Sequence, residues 1–476
     1  MNTFVNAAVQ VPDSVTENGA ATFASSLNMN VDLFFKVGAS RGKLDQLISL
    51  FKQALKEDSK LATRIALWAR DARGGAGERD AFRAMLKEMS VATQLALIPK
   101  IVELGRWDDL AALIGPDSTL ACANNDVDMC AAYFWKQAVL DGNGLAAKWA
   151  PRKGPLAVKL RTFWGMSPKQ YRKTLVNATK VVETQMCAKD WDNINFNHVP
   201  SVAAARYNAA FMRNAAESYT AYKEALVSGE AKINASAIFP HDVVRGALVG
   251  AYVDTDVVDA QWKALPDYLN GDQSGILVMS DVSGSMNAPV SGSIRAIDIS
   301  VALGLYISER QTGPFKDLVL TFSETPTFHK VVGTGIVNRI KNLSRSAWGM
   351  STDLAAAFKL ILDTAVANQV PAEDMPHTLL ILSDMEFDYC GRITNFQYME
   401  ALYEKAGYVV PKIVFWNLNS RSRNVPVRAG EHGVALVSGF SPSLMKSILL
   451  GENMTPESVM LSTVSNPRYD VDGVTV

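Results

Sequence analysis

The stretch Ile276-Leu277-Val278-Met279-Ser280-Asp281-Val282-Ser283-Gly284-Ser285-Met286 decides the fold of this chain. It begins with an apolar run typical of a buried strand and ends in an Asp-x-Ser-Gly-Ser turn. In a parallel α/β sheet, ligands bind in the loops beyond the carboxyl ends of the strands. The Asp281 carboxylate and the Ser283 and Ser285 hydroxyls are therefore expected to face one point. All three groups offer oxygen, which suits a hard cation such as Mg2+.

Strands and helices alternate downstream of this stretch. The pattern predicts further strands at 318–322, 378–383, 412–416 and 434–437, and helices near 291–309, 352–367, 395–406 and 442–450. Buried strands that alternate with helices form a largely parallel sheet with helices on both faces. The sequence therefore predicts a doubly wound α/β domain over residues 276–476.

Amphipathic helices dominate the first half of the chain. One face of the first helix carries Leu44, Leu47, Ile48, Phe51 and Leu55, and Ser59 is the expected cap of the next helix. Similar patterns cover 78–89, 93–104, 129–140, 168–188, 201–227 and 241–252. Because each such helix must bury one face on a neighbour, an array of paired helices is expected. We predict an irregular arm at 1–30, a helical-repeat domain at 31–263 and a linker at 264–275.

The composition is that of an ordinary globular protein. The chain has 476 residues, of which 48% are hydrophobic and 20% charged, so two or three domains are expected. Its four cysteines form no C-x-x-C pair, which argues against a disulfide scaffold or a zinc ribbon. There is no signal-peptide pattern and no apolar run of about 20 residues that would span a bilayer. We expect a soluble, cytoplasmic protein without membrane contact.

A basic segment over residues 145–182 stands out by charge. It contains no Asp or Glu, four interleaved aromatic residues and nine basic residues: Lys148, Arg152, Lys153, Lys159, Arg161, Lys169, Arg172, Lys173 and Lys180. Basic side chains neutralise phosphates, and aromatic rings or guanidinium planes stack on exposed bases. The alternative is a solvated helix face whose aromatic rings belong to the core. A nucleic-acid partner is expected to meet this half of the chain.

A second basic feature is the glycine-rich turn between Arg70 and Asp80. Arg70, Arg73 and Arg79 could hold a phosphate there, although the turn lacks the Gly-Lys-Ser/Thr of a P-loop. The alternative is a corner between helices that is held by Arg–Asp pairs. The five histidines lie apart in the sequence, and no catalytic constellation can be assembled from them. The sequence therefore does not predict an enzyme.

The Asp-x-Ser-x-Ser turn resembles the metal-ion-dependent adhesion site of von Willebrand factor A domains. Two further pieces of that site follow, in Gly349-Met350-Ser351-Thr352-Asp353-Leu354 and in Leu379-Leu380-Ile381-Leu382-Ser383-Asp384. The resemblance implies that Ser283, Ser285 and Thr352 contact Mg2+ or another divalent cation directly. It also implies that Asp281 and Asp384 hold metal-bound waters, and that one position stays open for a partner's carboxylate. Asp388 is expected to cap the next helix, and the role of Glu386 stays open.

Motifs along nearly the whole chain resemble the Ro autoantigen (TROVE) superfamily, and most closely its sister family from plants, bacteria and phages. They include Asn18-Gly19-Ala20, Gly74-Gly75-Ala76-Gly77-Glu78-Arg79, Gly105-Arg106-Trp107-Asp108, Ala147-Lys148-Trp149-Ala150-Pro151, Val199-Pro200-Ser201 and Val414-Phe415-Trp416-Asn417-Leu418. The resemblance implies an α-helical repeat (HEAT-like) domain followed by a von Willebrand factor A (Rossmann-like) domain. In the Ro branch, the helical part binds small structured RNAs and the single-stranded ends of misfolded RNAs.

The expected function is that of a non-catalytic, Ro-like RNA-binding scaffold with a divalent-cation site. The expected RNA contacts are Arg70, Arg73, Arg79, Lys148, Arg152, Lys153, Lys169, Arg172 and Lys173. Two alternatives stay open. One is a protein–protein adaptor in which the metal captures a partner's carboxylate and RNA plays no part, and the other is a structural component of a larger assembly.

Overall fold

The chain folds into two compact units that do not follow the order of the sequence. The computed structural model describes residues 11–115, 120, 127–233, 235, 238–251, 253–269, 275–322, 325–344, 352–449 and 453–471. The first unit contains residues up to Ile65, Gly74–Ala76 and Ala235–Asn466, and the second contains Ala66–Arg73, residues 77–233 and the residues from Pro467 onward. The predicted domain boundaries at 30, 263 and 275 divide the chain into consecutive segments. In the structure, the first two helices belong to the same unit as the sheet, although they come from the other end of the chain.

The first unit is organised around a parallel sheet. The strands, numbered along the chain, are β1 (Ser14–Val15), β2 (Ala21–Thr22), β3 (Ile276–Asp281), β4 (Pro289–Ser291), β5 (Ile294–Arg295), β6 (Leu318–Phe322), β7 (Thr327–Lys330), β8 (Thr378–Ser383), β9 (Lys412–Asn417) and β10 (Val434–Ser438). Among the described residues, six strands form one sheet in the order β7-β6-β3-β8-β9-β10, and β7 is antiparallel to its neighbour. This is the doubly wound order, in which the chain reverses direction across the sheet beside its first strand.

Helices form the described part of the second unit and flank the sheet of the first. Along the chain they are α1 (Met29–Val37), α2 (Leu44–Glu57), α3 (Ser59–Arg70), α4 (Arg79–Lys87), α5 (Val91–Leu104), α6 (Val127–Leu140), α7 (Gly144–Trp149), α8 (Pro155–Phe163), α9 (Pro168–Ala178), α10 (Val182–Cys187), α11 (Ser201–Asn214), α12 (Ala216–Ser228), α13 (Pro240–Leu248), α14 (Thr255–Ala264), α15 (Ala296–Arg310), α16 (Ile336–Leu343), α17 (Leu354–Ala367), α18 (Asn395–Ala406), α19 (Met445–Leu449) and α20 (Pro456–Val464). In the described parts of the chain, no helix is long and apolar enough to cross a membrane. The predicted fold class is confirmed: an α-helical repeat (HEAT-like) domain is joined to a doubly wound domain of the von Willebrand factor A (Rossmann-like) type.

Several helix boundaries differ from the sequence prediction for local reasons. The pattern over 168–188 is broken into α9 and α10, because Thr179 adopts an extended conformation. Asp58, not Ser59, caps α3, since its Oδ1 accepts the Leu61 N–H at 2.9 Å. α5 begins at Val91, two residues before the predicted start, and continues through Pro99. The pattern also missed α1, α7, α8, α14, α16 and α20.

A close backbone approach fixes α1 against the sheet. Residues Asn30–Val37 of α1 are buried, and Gly38, the next residue, donates its N–H to Ser438 Oγ at 3.0 Å. The Ser438 hydroxyl in turn donates to the Phe34 carbonyl at 2.8 Å. A Cβ atom on Gly38 would lie 2.6 Å from the Ser438 carbonyl oxygen and 2.7 Å from Gly439 Cα. Only glycine therefore fits between α1 and the end of β10.

We expect Gly38→Ala to destabilise the chain by about 1–3 kcal/mol, because the added methyl meets backbone atoms that cannot rotate away. Denaturant titration with a fluorescence readout measures this loss. Gly430→Ala is the matched control, since a Cβ there has no heavy atom within 4 Å. Equal stabilities for the two variants would contradict the close approach.

Candidate functional site

The first candidate site lies where the strand order reverses, between β3 and β8. Ser280 pairs with Leu382 across the two parallel strands, so Asp281 and Ser383 come next to each other at the carboxyl ends. The Ser383 hydroxyl donates to Asp281 Oδ2 at 2.6 Å. Ligands bind at this position in doubly wound sheets. The sequence prediction missed Ser383, although the parallel register is the signal that reveals it.

The Asp-x-Ser-x-Ser turn gathers its oxygen atoms beyond the end of β3. Asp281 Oδ1 accepts the N–H of Ser283 at 2.9 Å, which bends the turn back onto the strand. The hydroxyl oxygens of Ser283 and Ser285 lie 3.1 Å apart. The structure therefore brings these three predicted site residues together.

Asp384 enters the same cluster from the end of β8. The next residue, Met385, has a φ of 67°, a left-handed conformation that turns the chain sharply after the carboxylate. Burial raises the pKa of Asp384, while a hydrogen bond from the Ser285 hydroxyl acts in the opposite direction. Burial and the nearby Asp384 charge raise the pKa of Asp281. Two buried carboxyl groups thus share one small space.

Thr352 is attached to this edge of the sheet through Asp388. Its N–H donates to Asp388 Oδ2 at 2.9 Å, and the Asp388 N–H donates to the Thr352 carbonyl at 3.0 Å. The predicted capping role of Asp388 is wrong, because α18 is capped by Thr394, whose hydroxyl accepts the Gln397 N–H. Residues 349–351 of the predicted motif lie outside the described residues.

The donor set fits a hard divalent cation. Asp281, Ser283, Thr352 and Asp384 are each at most 1% exposed, and Asp384 Oδ2 has no hydrogen-bond partner within the described structure. Two carboxylates with three hydroxyls form the kind of oxygen set that Mg2+ prefers. In the described ranges, no group of three or more His, Cys, Asp or Glu side chains could hold a metal. A cation here would therefore depend on the hydroxyl groups.

The N-terminal arm packs along the loop that follows Asp384. The Glu17 N–H donates to Glu386 Oε2 at 2.7 Å, and the Asn18 side-chain amide donates to the Glu386 carbonyl at 2.8 Å. The Glu17 carboxylate pairs with Arg421 at 3.1 Å, and Arg421 Nη1 lies 3.9 Å from Asp384 Oδ2. The role of Glu386 is therefore to anchor the arm, and Arg421 is shared between Glu17 and Asp384.

The second candidate site is a groove of about 470 Å3 in the helical unit, which we call the basic groove. Its lining includes four cations: Arg152, Lys153, Arg161 and Arg172. Apolar side chains of α8 and α9 complete it, among them Val158 and Val176, which are 53% and 51% exposed. Part of the basic segment thus converges on one surface that also offers exposed apolar area.

The other predicted RNA contacts are dispersed. Lys169 and Lys173 are exposed on α9 but do not line the basic groove, and Lys148 pairs with Glu183 at 3.3 Å. Arg73 is exposed and donates to the Glu103 carbonyl at 3.4 Å, and Arg79 is exposed on α4.

The prediction that Arg70 contacts RNA is wrong. Arg70 is 3% exposed, and its guanidinium pairs with the buried carboxylate of Asp109 at 2.6 Å. The alternative reading of this turn, a helix corner held by an Arg–Asp pair, describes Arg70 correctly. The sequence could not reveal its partner, because Asp109 lies 39 positions away.

Comparisons with known proteins place the chain among relatives whose roles are undefined. Two models described as domains of unknown function match it: DUF2828 over residues 16–91 and 157–274, and DUF7788 over residues 275–470. The Ro (RSR) protein of Deinococcus radiodurans, solved by crystallography, is similar at 15% identity over 92% of this chain and 91% of that one. Its TM-score of 0.34 is too low to support a functional argument.

A curated relative is far more similar. Uncharacterized protein L728 of Acanthamoeba polyphaga mimivirus is 30% identical over an alignment of 514 positions. The alignment covers 96% of this chain and 88% of that protein. Identity at this level over nearly the full length of both chains establishes common descent. The chain therefore belongs to the same protein family as uncharacterized protein L728 of Acanthamoeba polyphaga mimivirus.

Proposed function

We propose that this chain is a non-catalytic RNA-binding scaffold whose helical unit takes up RNA in the basic groove. The observation that carries the proposal is the convergence of Arg152, Lys153, Arg161 and Arg172 on one surface. Cations in such an arrangement neutralise successive phosphates, and the adjacent exposed apolar side chains offer contact area to unstacked bases. Single-stranded RNA has both features, so it is the partner that this groove suits best.

The aromatic residues of the basic segment play a smaller part than the sequence suggested. Trp164 and Tyr171 are buried, with ring centroids 5.1 Å apart, and the Tyr171 hydroxyl donates to the Pro151 carbonyl at 3.0 Å. These two rings belong to the core, as the alternative reading held. Stacking on bases would therefore come from the guanidinium planes of the groove.

Crosslinking in cells that make the protein tests this proposal directly. After a salt wash, the attached nucleic acid is sequenced and the crosslinked peptides are mapped. We expect a defined set of RNAs with crosslinks between residues 152 and 176, and an affinity that falls steeply with salt as counterions are released. A yield of RNA no higher than that of an untagged control would overturn the proposal.

For the α/β unit we propose a divalent-cation site, with Mg2+ as the expected ion. Following the resemblance, Ser283, Ser285 and Thr352 would hold the cation directly, and Asp281 and Asp384 would hold it through water. Its chemistry here is charge neutralisation of two buried carboxylates. Asp281, Ser283, Thr352 and Asp384 are almost fully buried, whereas Ser285 is half-buried, so a partner's carboxylate would have to approach the cation from the Ser285 side. The burial of the other four side chains favours a stabilising cation over the adaptor alternative.

Arg421 is expected to weaken cation binding, because its positive charge lies 3.9 Å from Asp384 Oδ2. We expect Arg421→Gln to raise the affinity for Mg2+ by about tenfold, equal to about 1.4 kcal/mol. Isothermal titration with MgCl2 measures this change. Arg423→Gln, which removes the same charge two residues away, is the control and should bind Mg2+ as the wild type does. An unchanged or lower affinity in Arg421→Gln would contradict the expectation.

A further inference from the structure

An arginine cluster in the helical unit carries more positive than negative charge. It comprises Arg70, Arg79, Arg83 and Arg106 with Asp108 and Asp109, so four guanidinium groups face two carboxylates. Arg70 lies on α3, and Arg79 and Arg83 lie on α4. Arg106 comes just before a 3-10 helix at Trp107–Ala112, which contains Asp108 and Asp109. The cluster lies outside the basic groove, and none of its members lines that groove.

Both carboxylates of the cluster are already engaged. Asp109 pairs with Arg70 at 2.6 Å and with Arg83 at 2.7 Å. Asp108 pairs with Arg106 at 2.5 Å and with Arg83 at 3.0 Å. These pairs hold Arg83 and Arg106 in fixed positions, and they leave the charge of Arg79 without a matching carboxylate inside the cluster.

Arg79 stands on the same face of α4 as Arg83. The two residues are four positions apart, which brings their side chains one above the other on the helix. Much of the Arg79 side chain is exposed, but partial burial of its guanidinium and the charges of Arg106 and Arg83 lower its pKa. Asp80, the neighbouring residue, projects from a different face, because adjacent helical positions do not face each other.

Arg106 is held in place from a second side. Its guanidinium carbon lies 3.8 Å from the centroid of the Trp149 ring, a cation–π contact that adds to the Asp108 pair. The nearby carboxylate of Asp71 is also occupied, since Arg468 donates to both of its oxygens at 2.6 and 3.1 Å. The Asp71 carboxylate is therefore engaged by a residue outside the cluster.

We propose that Arg79, Arg83 and Arg106 form a binding site for a phosphate dianion. A phosphate group near pH 7 carries a charge of about −1.5 to −2, which matches the two excess guanidinium charges of the cluster. Planar guanidinium groups bind phosphate oxygens in pairs of parallel hydrogen bonds. The ligand is either inorganic phosphate or the terminal phosphate of a phosphomonoester. This site does not depend on RNA binding by the basic groove.

The test titrates the full chain with inorganic phosphate at constant ionic strength and follows binding by isothermal titration. We expect a dissociation constant on the order of 1 mM for the wild type and a loss of at least about tenfold in Arg79→Gln. Arg79→Lys should retain part of the affinity, since it keeps the charge but loses the planar fork. Arg206→Gln, at an exposed arginine of α11 outside the cluster, should bind as the wild type does.

Circular dichroism confirms that Arg79→Gln is folded, as expected for an exposed residue. A parallel titration with phenyl phosphate assigns the source: tighter binding than inorganic phosphate indicates a phosphomonoester end, and equal or weaker binding indicates the free ion. Wild-type binding by Arg79→Gln, or no binding by the wild type at tens of millimolar, overturns the proposal. Arg161→Glu/Arg172→Glu should still bind phosphate, which separates this site from the basic groove.

Discussion

Reversing two cations of the basic groove, in Arg161→Glu/Arg172→Glu, is expected to weaken RNA binding by at least about a hundredfold. Each substitution removes one phosphate contact and places a carboxylate where a phosphate would lie. The slope of log affinity against log salt should also become shallower by about 0.7 for each lost contact, the value for single strands. Fluorescence anisotropy with a labelled oligouridylate at several salt concentrations measures both quantities.

The matched control is Lys169→Glu/Lys173→Glu. It changes the net charge by the same amount, and both lysines lie on α9, which also carries Arg172, but neither lysine lines the basic groove. We expect a loss of only a few fold, due to the general field of the unit. Equal losses in the two double variants would show that net charge, not the groove, attracts RNA. Unchanged RNA binding in both double variants would show that RNA does not bind in the basic groove.

Without a divalent cation, the chain is expected to become less stable as the pH rises from 4 to 8. Burial raises the pKa of Asp281 and of Asp384 above the unfolded value of 3.8. In the window above that value the folded state binds more protons than the unfolded state, so the free energy of unfolding falls with rising pH. The stabilisation by these two carboxyl groups is fully present below their pKa in the unfolded chain. It is lost as the pH rises and the two groups ionise in the folded chain.

Mg2+ should remove this pH dependence of stability by neutralising both carboxylates, and Asp281→Asn should reduce it by removing one of the two. One unit of pKa corresponds to about 1.4 kcal/mol, and about 1 kcal/mol shifts Tm by roughly 2–4 °C in a domain of this size. At pH 8 without cation, we therefore expect Asp281→Asn to melt several degrees above the wild type. Adding MgCl2 should raise the Tm of the wild type and leave that of Asp281→Asn unchanged.

Thermal unfolding at pH 5 and pH 8, with EDTA or MgCl2, measures these effects. Asp363→Asn is the control, because that carboxylate is exposed and pairs with the exposed side chain of Lys359. It should respond to pH and Mg2+ as the wild type does. A wild type whose Tm at pH 8 is insensitive to MgCl2 would argue against the cation site.

The strand ends of the α/β unit were predictable because their signals are local. An apolar run followed by an acidic residue located β3 and β8, and the sheet order then brought Asp281 near Asp384. The structure showed two further residues that depend on pairing across the fold. Ser383 bonds Asp281 over a separation of 102 residues, and Asp388 bonds Thr352 over 36. No pattern within a short window contains either contact.

For the basic residues, the sequence showed the composition of the segment but not where its side chains lie. Their enrichment in residues 145–182 is visible in the sequence, but their positions depend on helices that the pattern missed. Arg152 lies before α8 and Arg161 lies within it, and this short helix, which begins with Pro155, was not predicted. Periodicity also could not distinguish the buried Arg70 from the exposed Arg79, because that difference depends on the distant Asp109.

The packing of α1 against β10 sets the order in which the chain can mature on the ribosome. Phe34 and Ser438, which are hydrogen bonded, lie 404 residues apart, so the first helix is made long before its partner strand. At about 5–20 residues per second, this interval is roughly 20–80 s. During that time the part of α1 that packs on β10 has no partner strand to cover it. Expression of residues 276–476 alone would leave the matching surface uncovered, so a fragment for biophysical work should retain the N-terminal 65 residues.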